Sequence, residues 1–407
     1  MSLINALFTS TSAVCVTGLI VTNTATQFTF LGQLIIILLI QIGGLGYMTS
    51  ATFLAVILNK KLNHRDRLIL KESLNYAGMN GLVRFLKIVF LFTLMIETTG
   101  AIILAIRFSF DMSIGKAIWF GIFHAVSAFN NAGFSLFSNN LANYSSDIVI
   151  NLVIPILIIL GGIGYLVLIE LYYYKKYKIL RISTNTKIVL IMTALLLILG
   201  MVLLLSVEWN KAFEHMSWSN KILAAWFTSV NYRTAGFNTI DMSSLSNISL
   251  FFSTIFMMIG GAPGGTAGGI KVTVVALAFI GVWYTLRGDT NAHIFNRSIS
   301  QYQINKSYAI ILIASTYVVV STVLLSEFEH LPFIKTLFEA CSAFGTVGLS
   351  TGNGGNLSFS ALFDDWGKMN IIILMFMGRV GVFAFTVAII GKIDKSRIKY
   401  PEAKVVI

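Results

Sequence analysis

Four short segments recur along the chain: Ser12-Ala-Val-Cys-Val-Thr-Gly18-Leu19, Ser127-Ala-Phe-Asn-Asn-Ala-Gly133-Phe134, Ser229-Val-Asn-Tyr-Arg-Thr-Ala-Gly236-Phe237 and Ser342-Ala-Phe-Gly-Thr-Val-Gly348-Leu349. The serine precedes the glycine by 6, 6, 7 and 6 residues, and successive glycines are 115, 103 and 112 residues apart. None of the segments holds a carboxylate or a histidine, so the chemistry they offer is that of the backbone. Glycine reaches the φ values that turn a carbonyl off the helical direction. A ring of carbonyls so turned can replace the hydration shell of a cation. A helix ending just before each turn aims the negative end of its dipole at the same point.

Such a ring needs elements to carry it. A helix crossing ~30 Å of hydrocarbon takes about 20 apolar residues. Apolar runs of that order lie near 30–58, 84–106, 148–174, 187–207, 247–284, 307–326 and 369–391. Between some of them lie shorter pieces near 3–13, 116–129, 220–231 and 334–344, too short to span, and each leads into one of the glycine segments. These read as half-helices that enter without crossing. The repeat is therefore helix, short helix, glycine turn, helix. Composition agrees: of 407 residues, 56% are hydrophobic and only 11% charged, against roughly 25% charged in a soluble domain. Cys15 and Cys341 lie far apart in apolar context, which suggests no disulfide framework. The expected fold is an all-α polytopic membrane protein of four pseudo-repeated helix–pore helix–helix units around one ion pore.

A net charge of +12 raises the question of nucleic acid, but its distribution points elsewhere. No Lys or Arg precedes Lys60, and most of the 29 basic residues cluster at 59–87, at 175–187, at Arg287, Arg297 and Lys306, and in a tail with Lys392, Lys395, Arg397, Lys399 and Lys404. By the positive-inside rule these segments, the C-terminus included, are cytoplasmic. The expected surroundings are membrane lipid, with no nucleic-acid partner.

A second constellation is Ile259-Gly-Gly-Ala-Pro-Gly-Gly-Thr-Ala-Gly-Gly-Ile-Lys271, which interrupts a run too long for one simple span. Six glycines and a proline cannot stay helical at depth, since each glycine costs about 1 kcal/mol and the proline about 3 kcal/mol relative to alanine. The stretch is expected to be an intramembrane loop facing a cavity. A phosphate-binding loop fails on spacing, because Ile270 separates Gly269 from Lys271 and Val272 follows. The third signal is Arg379 inside the last apolar run. An arginine at mid-helix costs about 2.5–3.5 kcal/mol on insertion scales, so it should face the pathway or tie down loop carbonyls. Lys271 either borders the same loop or snorkels to the interface. Among weaker candidates, Arg233 is a strut or a charge at the outer mouth, Glu97 a hydrogen-bonding partner of a neighbouring pore helix, Glu170 an interfacial residue, and Asn130 and Asn131 braces for the second glycine turn.

Thr346-Val347-Gly348-Leu349 is close to the T-V-G-Y of potassium-channel filters. With the first segment, the run Gln41-Ile-Gly-Gly-Leu-Gly-Tyr47 and the Gly260–Gly269 stretch, it gives a sequence that resembles, over nearly its whole length, the KtrB-type membrane subunits of Ktr potassium uptake systems in the Trk/Ktr/HKT superfamily. The resemblance implies potassium uptake, often sodium-stimulated. It implies a homodimeric membrane part and a cytoplasmic RCK-type ring subunit that binds ATP or ADP, with no cofactor in this chain. Carried over by position, the ion-selectivity filter is Val16, Thr17 and Gly18; Asn131, Ala132 and Gly133; Thr234, Ala235 and Gly236; and Thr346, Val347 and Gly348. Potassium would sit at their carbonyls. Gly18 favours potassium, since related sodium-selective plant transporters place serine there. The gate is Gly260, Gly261, Pro263, Gly264, Gly265, Gly268, Gly269 and Lys271, with Arg379 beside it. The units are expected at 1–70, 71–180, 181–295 with the gate loop at 260–269, and 296–391, followed by a tail at 392–407. The family has a spanning helix before the first pore helix, whereas this sequence opens on the pore helix, so the first unit is expected to lack its outer helix.

Two rivals are weaker. A membrane enzyme would need a cluster of His, Asp or Glu in the spans, and these hold almost none. A sodium- or proton-coupled secondary carrier also uses broken helices, but that class predicts inverted repeats and midplane carboxylates rather than a fourfold parallel motif. Because the chain holds no nucleotide-binding domain, its regulator must dock from outside. Replacing Lys392, Lys395, Arg397 and Lys399 with Gln should weaken retention of an RCK-type subunit in a pull-down, most visibly at low salt. Failure of the intact protein to bind any such subunit would contradict this.

Overall fold

The computed structural model describes residues 1–46, 82–177, 181–289, 291–382 and 384–386. Tyr47, Lys60, Lys61, Arg65, Arg67, Lys71, Lys178 and the basic tail lie outside the described residues. The described chain is mostly helical, and its two strands form a hairpin of His293–Ile294 and Arg297–Ser298.

The helices fall into three kinds, each dictated by length. Long apolar helices are α4 (Leu82–Phe108), α8 (Thr184–Glu208) and α12 (Gln301–Glu329), all long and apolar enough to cross a bilayer. Short helices are α1 (Leu3–Val14), α5 (Ile114–Phe129), α9 (Trp218–Asn231) and α13 (Phe333–Gly345), at 12, 16, 14 and 13 residues. They lie where the short apolar pieces predict them, and each ends at a glycine turn. The third kind is broken. The pair α6 (Ile148–Gly162) and α7 (Tyr165–Tyr177) is bent by 100° at the break, so the run at 148–174 is not the single span that its hydropathy predicts. Around 259–271 the chain leaves helix between α10 (Asn247–Met258) and α11 (Val272–Leu286), as its glycines require. After a single-turn α2 (Thr24–Gln27), α3 (Phe30–Leu45) stops at Gly46, and α14 (Asp365–Val380) stops at Gly381.

The breaks share a cause. Gly46, Gly164 and Gly381 have φ of 86°, 92° and 95°, which side-chain-bearing residues rarely adopt. Each follows a close packing of glycine on a pore helix: a Cβ on Gly43 would strike the Val14 carbonyl, one on Gly161 that of Phe129, and one on Gly378 that of Phe344. These carbonyls all lie four residues before the glycine of their own turn. The inner helices thus rest directly on the ends of the short helices, close enough that only glycine fits.

Outer faces are apolar, as lipid requires: Leu94, Leu199 and Val319 on the long helices are exposed. Buried polar groups find partners at the helix ends. Glu208, fully buried at the end of α8, accepts from Ser246 Oγ at 2.5 Å, Ser246 N at 3.1 Å and Ser249 Oγ at 2.5 Å, and so caps the start of α10. Glu208→Ala would leave those donors unpaired, at about 1–3 kcal/mol. It should lower the melting temperature of the detergent-purified protein, and Glu208→Gln, which keeps an acceptor, should lower it less.

Candidate functional site

The four glycine turns converge. A Cβ built on Gly18 would lie 2.5 Å from the Ala132 carbonyl oxygen, one on Gly133 2.7 Å from that of Ala235, one on Gly236 2.6 Å from that of Val347, and one on Gly348 would strike that of Thr17. The contacts run from each segment to the next and close from the fourth back to the first. This is a ring of four glycines and four carbonyls with no space for a side chain.

Backbone conformation makes the ring. Val16, Asn131, Thr234 and Thr346 have φ of 52°, 58°, 66° and 51°, and Gly18, Gly133, Gly236 and Gly348 have φ of 94°, 70°, 73° and 88°. The residue between each pair keeps a negative φ. Alternating the sign of φ turns successive carbonyls to one side instead of opposite sides. Three of the left-handed residues are β-branched, for which this region is a genuine outlier, and strain of about 1–3 kcal/mol per residue persists only where the surroundings over-determine it. Here they do. Ser12 Oγ accepts from Gly18 N at 3.1 Å and donates to the Leu19 carbonyl at 2.8 Å. Ser342 Oγ accepts from Gly348 N at 3.0 Å, and Ser127 Oγ donates to the Phe134 carbonyl at 2.8 Å.

The third turn is built differently. Its serine stands one residue too early, and Ser229 Oγ turns away to the Leu197 carbonyl at 2.7 Å. The position six before Gly236 is Val230, which has no hydroxyl, and Asn231 takes over by accepting from Phe237 N at 2.8 Å. The offset of seven in that segment marks this substitution.

On one side the ring opens into a vestibule of about 500 Å³ lined by the residues after each glycine; among the described residues Asp241 is the one charged side chain in its wall. That aspartate caps a 3₁₀ turn, accepting from Ser243 N at 2.9 Å. Loops beyond the turns hold the ring in pairs: Ile20 and Ser358 exchange two hydrogen bonds of 2.9 Å, and Leu141 N donates to the Asn238 carbonyl at 3.1 Å.

On the other side lies the 259–271 loop. Its backbone is satisfied from three directions: Ala262 N and Thr266 N donate to the Gly162 and Gly161 carbonyls at 2.9 and 3.1 Å, Gly260 N to Ile270 at 2.8 Å, and Gly269 N to Gly378 at 3.2 Å. Such pairing is what a non-helical stretch at membrane depth demands. Arg379, half-buried, donates to the Thr266 carbonyl of the loop and to the Gly43 and Gly44 carbonyls at the end of α3, the last at 3.1 Å. Lys271 Nζ donates to the Ala267 carbonyl at 2.6 Å within the loop, so it does not reach for an interface. Asn131 reaches both ways, accepting from Thr266 Oγ1 at 2.8 Å and donating to the Arg233 carbonyl at 3.1 Å.

Arg233 is buried, with Nη1 unpartnered, so it is no charge at an outer mouth; its carbonyl is the group that takes part in the network. Glu97 accepts from Asn130 Nδ2 at 2.8 Å, at the end of α5, and from Gln41 Nε2 at 3.3 Å. Glu170 accepts from Ser183 and Thr186. Both cysteines are free and buried. Sequence reasoning missed Thr266. It also missed a second repeat: Gly43-Gly44-Leu45-Gly46, Gly161-Gly162-Ile163-Gly164, Gly260-Gly261 and Gly378-Arg379-Val380-Gly381. Aligned this way, Arg379 stands where the other three units have glycine.

A mostly helical membrane chain that brings four half-length helices onto one carbonyl ring has the architecture of the polytopic cation transport proteins. The TrkH family model, described as cation transport protein, matches residues 1–398, and the chain belongs to that family. The Ktr system potassium uptake protein B of Bacillus subtilis is 39% identical over 407 residues, covering 100% of this chain and 89% of the relative. The potassium/sodium uptake protein NtpJ of Enterococcus hirae is 36% identical, covering 99% of this chain and 89% of that protein. The crystal structure of the potassium transporter TrkH from Vibrio parahaemolyticus has the same fold, with a TM-score of 0.74 at 18% identity over 95% of this chain and 78% of that one.

Proposed function

We propose that the chain is the potassium-translocating membrane subunit of a Ktr-type uptake system in the cell membrane. The observation that carries this reading is the closed ring of Gly18, Gly133, Gly236 and Gly348, with a carbonyl from the preceding residue of each neighbouring turn packed against each glycine. Neutral backbone oxygens suit a weakly hydrated monovalent cation, whereas carboxylate rings serve other cations. The hydroxyls of Thr234 and Thr346 are buried at the left-handed positions without a partner among the described residues, and that of Thr346 packs against Gly268 of the loop, which suits a second layer of oxygens below the glycines. The relatives named for potassium uptake support the choice of ion.

In this reading the four triads from Val16 to Gly348 are the selectivity filter, and the vestibule faces outward. The Gly260–Gly269 loop is the gate. It lies across the path on the helix side of the ring, held by backbone hydrogen bonds to the break between α6 and α7 and to the end of α14. A glycine-rich loop repacks few side chains when it moves. Arg379 steadies it, because a guanidinium carries five donors and suits several carbonyls at once. The four units at 1–70, 71–180, 181–295 and 296–391 surround one path. The basic loops and tail face the cytoplasm, where an ATP- or ADP-binding RCK-type ring subunit docks on a homodimer of this chain. Sodium stimulation accords with a relative named for potassium and sodium uptake.

Two experiments test filter and gate separately. In cells deficient in potassium transport, Gly18→Ser should relax selectivity for potassium over sodium, because the added Cβ meets the Ala132 carbonyl at a φ of 94°. Unchanged relative uptake would sink the shared filter. In liposomes, deleting several of the Gly260–Gly269 glycines should raise potassium flux and free it from the nucleotide-loaded partner, and Arg379→Ala should shift gating more than selectivity. Flux that stays low and nucleotide-controlled after the deletion would place the gate elsewhere.

A further inference from the structure

Loop and ring meet at one side chain. The Asn131 carboxamide occupies the left-handed position of the second turn, fully buried, and both of its ends are engaged. Its Oδ1 accepts from Thr266 Oγ1 at 2.8 Å, in the middle of the glycine loop. Its Nδ2 donates to the Arg233 carbonyl at 3.1 Å, one residue before the third triad. The Thr266 hydroxyl also lies 3.2 Å from the Phe129 carbonyl, at the end of the second short helix. The remaining polar atoms of Thr266 are fixed too: its N–H donates to the Gly161 carbonyl at 3.1 Å, and its carbonyl accepts from Arg379. No space is left for slack, because a Cβ on Gly161 would lie 2.8 Å from both Asn131 Oδ1 and Thr266 Oγ1. A loop built only to block a path would need no bond to the ring.

We propose that Thr266 is a positioning residue for ion recognition: with the loop docked, its hydroxyl fixes the Asn131 carboxamide, which in turn fixes the second and third turns in their potassium-accepting geometry. The inference rests on the filter and gate reading above and adds that the two are one coupled unit. Withdrawal of the loop breaks the Thr266 bond at Oδ1 and lets the carboxamide rotate, which loosens the hold of its Nδ2 on the Arg233 carbonyl beside the third triad and of its backbone on Ala132. The ring therefore binds its ion more tightly and more selectively with the loop in place than with the loop withdrawn. By linkage, an ion held in the ring favours the docked loop to the same extent.

The test is equilibrium binding to the full chain purified in detergent without any partner, read as the concentration of potassium or sodium that half-maximally raises its melting temperature. Thr266→Val keeps the shape and removes the hydroxyl. It should raise the potassium midpoint by roughly two- to tenfold, the range that one net hydrogen bond spans, and narrow the gap between potassium and sodium. Thr266→Ser keeps the hydroxyl and should restore both values. If the valine variant does not yield a monodisperse protein, Thr266→Cys, with its weaker donor, takes its place. Asn131→Ser, too short to reach either partner, should produce the same shift and show little further loss when combined with the valine variant. Unchanged midpoints and an unchanged potassium-to-sodium ratio in the valine or cysteine variant would overturn the coupling while leaving the filter intact. If the unsubstituted chain showed no preference for potassium and Gly18→Ser changed nothing, the filter reading itself would fall.

Discussion

The structure depends on a backbone constraint that no side chain can satisfy: four chain segments must each hold two left-handed residues separated by one ordinary residue, all within a common ring. Asn131 and the three β-branched residues Val16, Thr234 and Thr346 all occupy the left-handed region at the same position of their turns. An isolated peptide would not stay there. The short helices deliver the chain to the turn, buried hydroxyls and one asparagine hold the turn's amides and carbonyls, and the inner helices press glycine against the helix ends. The large apolar framework serves to make a strained, carbonyl-rich conformation the only one available.

The same constraint explains the glycine loop. Where the third inner segment leaves helix beneath the ring, its backbone N–H groups turn to the carbonyls at the breaks of its neighbours, at Gly161, Gly162 and Gly378. Those breaks supply free carbonyls because they are breaks. Arg379 draws on the same source, reaching Gly43 and Gly44 on one side and Thr266 on the other. One arginine thus ties together three segments that belong to different repeats. A glycine at its position, as in the other three units, would take this donor from the Thr266 and Gly44 carbonyls and leave the Gly43 carbonyl only the bond from Gly46 N.

Much of this was legible in the sequence because hydrophobic length and glycine spacing are one-dimensional signals. The four short helices and their turns fall where apolar runs too short to span predict them, and the interruption at 259–271 follows from its composition alone. Other features need the third dimension. The offset of seven before Gly236 was readable, but only the structure shows Ser229 turned to Leu197 and Asn231 doing its work. The break after Gly162 was hidden because Ile163, Tyr165 and the residues beyond are as apolar as a continuous span, and what opens the helix there is the φ of Gly164 and the bond from Tyr165 N to the Gly264 carbonyl, a hundred residues away. Thr266 carried no signal in a run of small residues. The repeat that aligns Arg379 with Gly44, Gly162 and Gly261 was present in the sequence and would have identified the arginine as the exception in a glycine pattern.

The central claim is that the four-carbonyl ring is where the ion sits, and the most direct measurement is anomalous diffraction from crystals of the protein grown in thallium, a heavy monovalent substitute for potassium. The account predicts an anomalous peak on the ring axis, enclosed by the carbonyls of Thr17, Ala132, Ala235 and Val347, which sodium displaces poorly. A clear map with no peak inside the ring, or with thallium only at Asp241 in the vestibule, would contradict it.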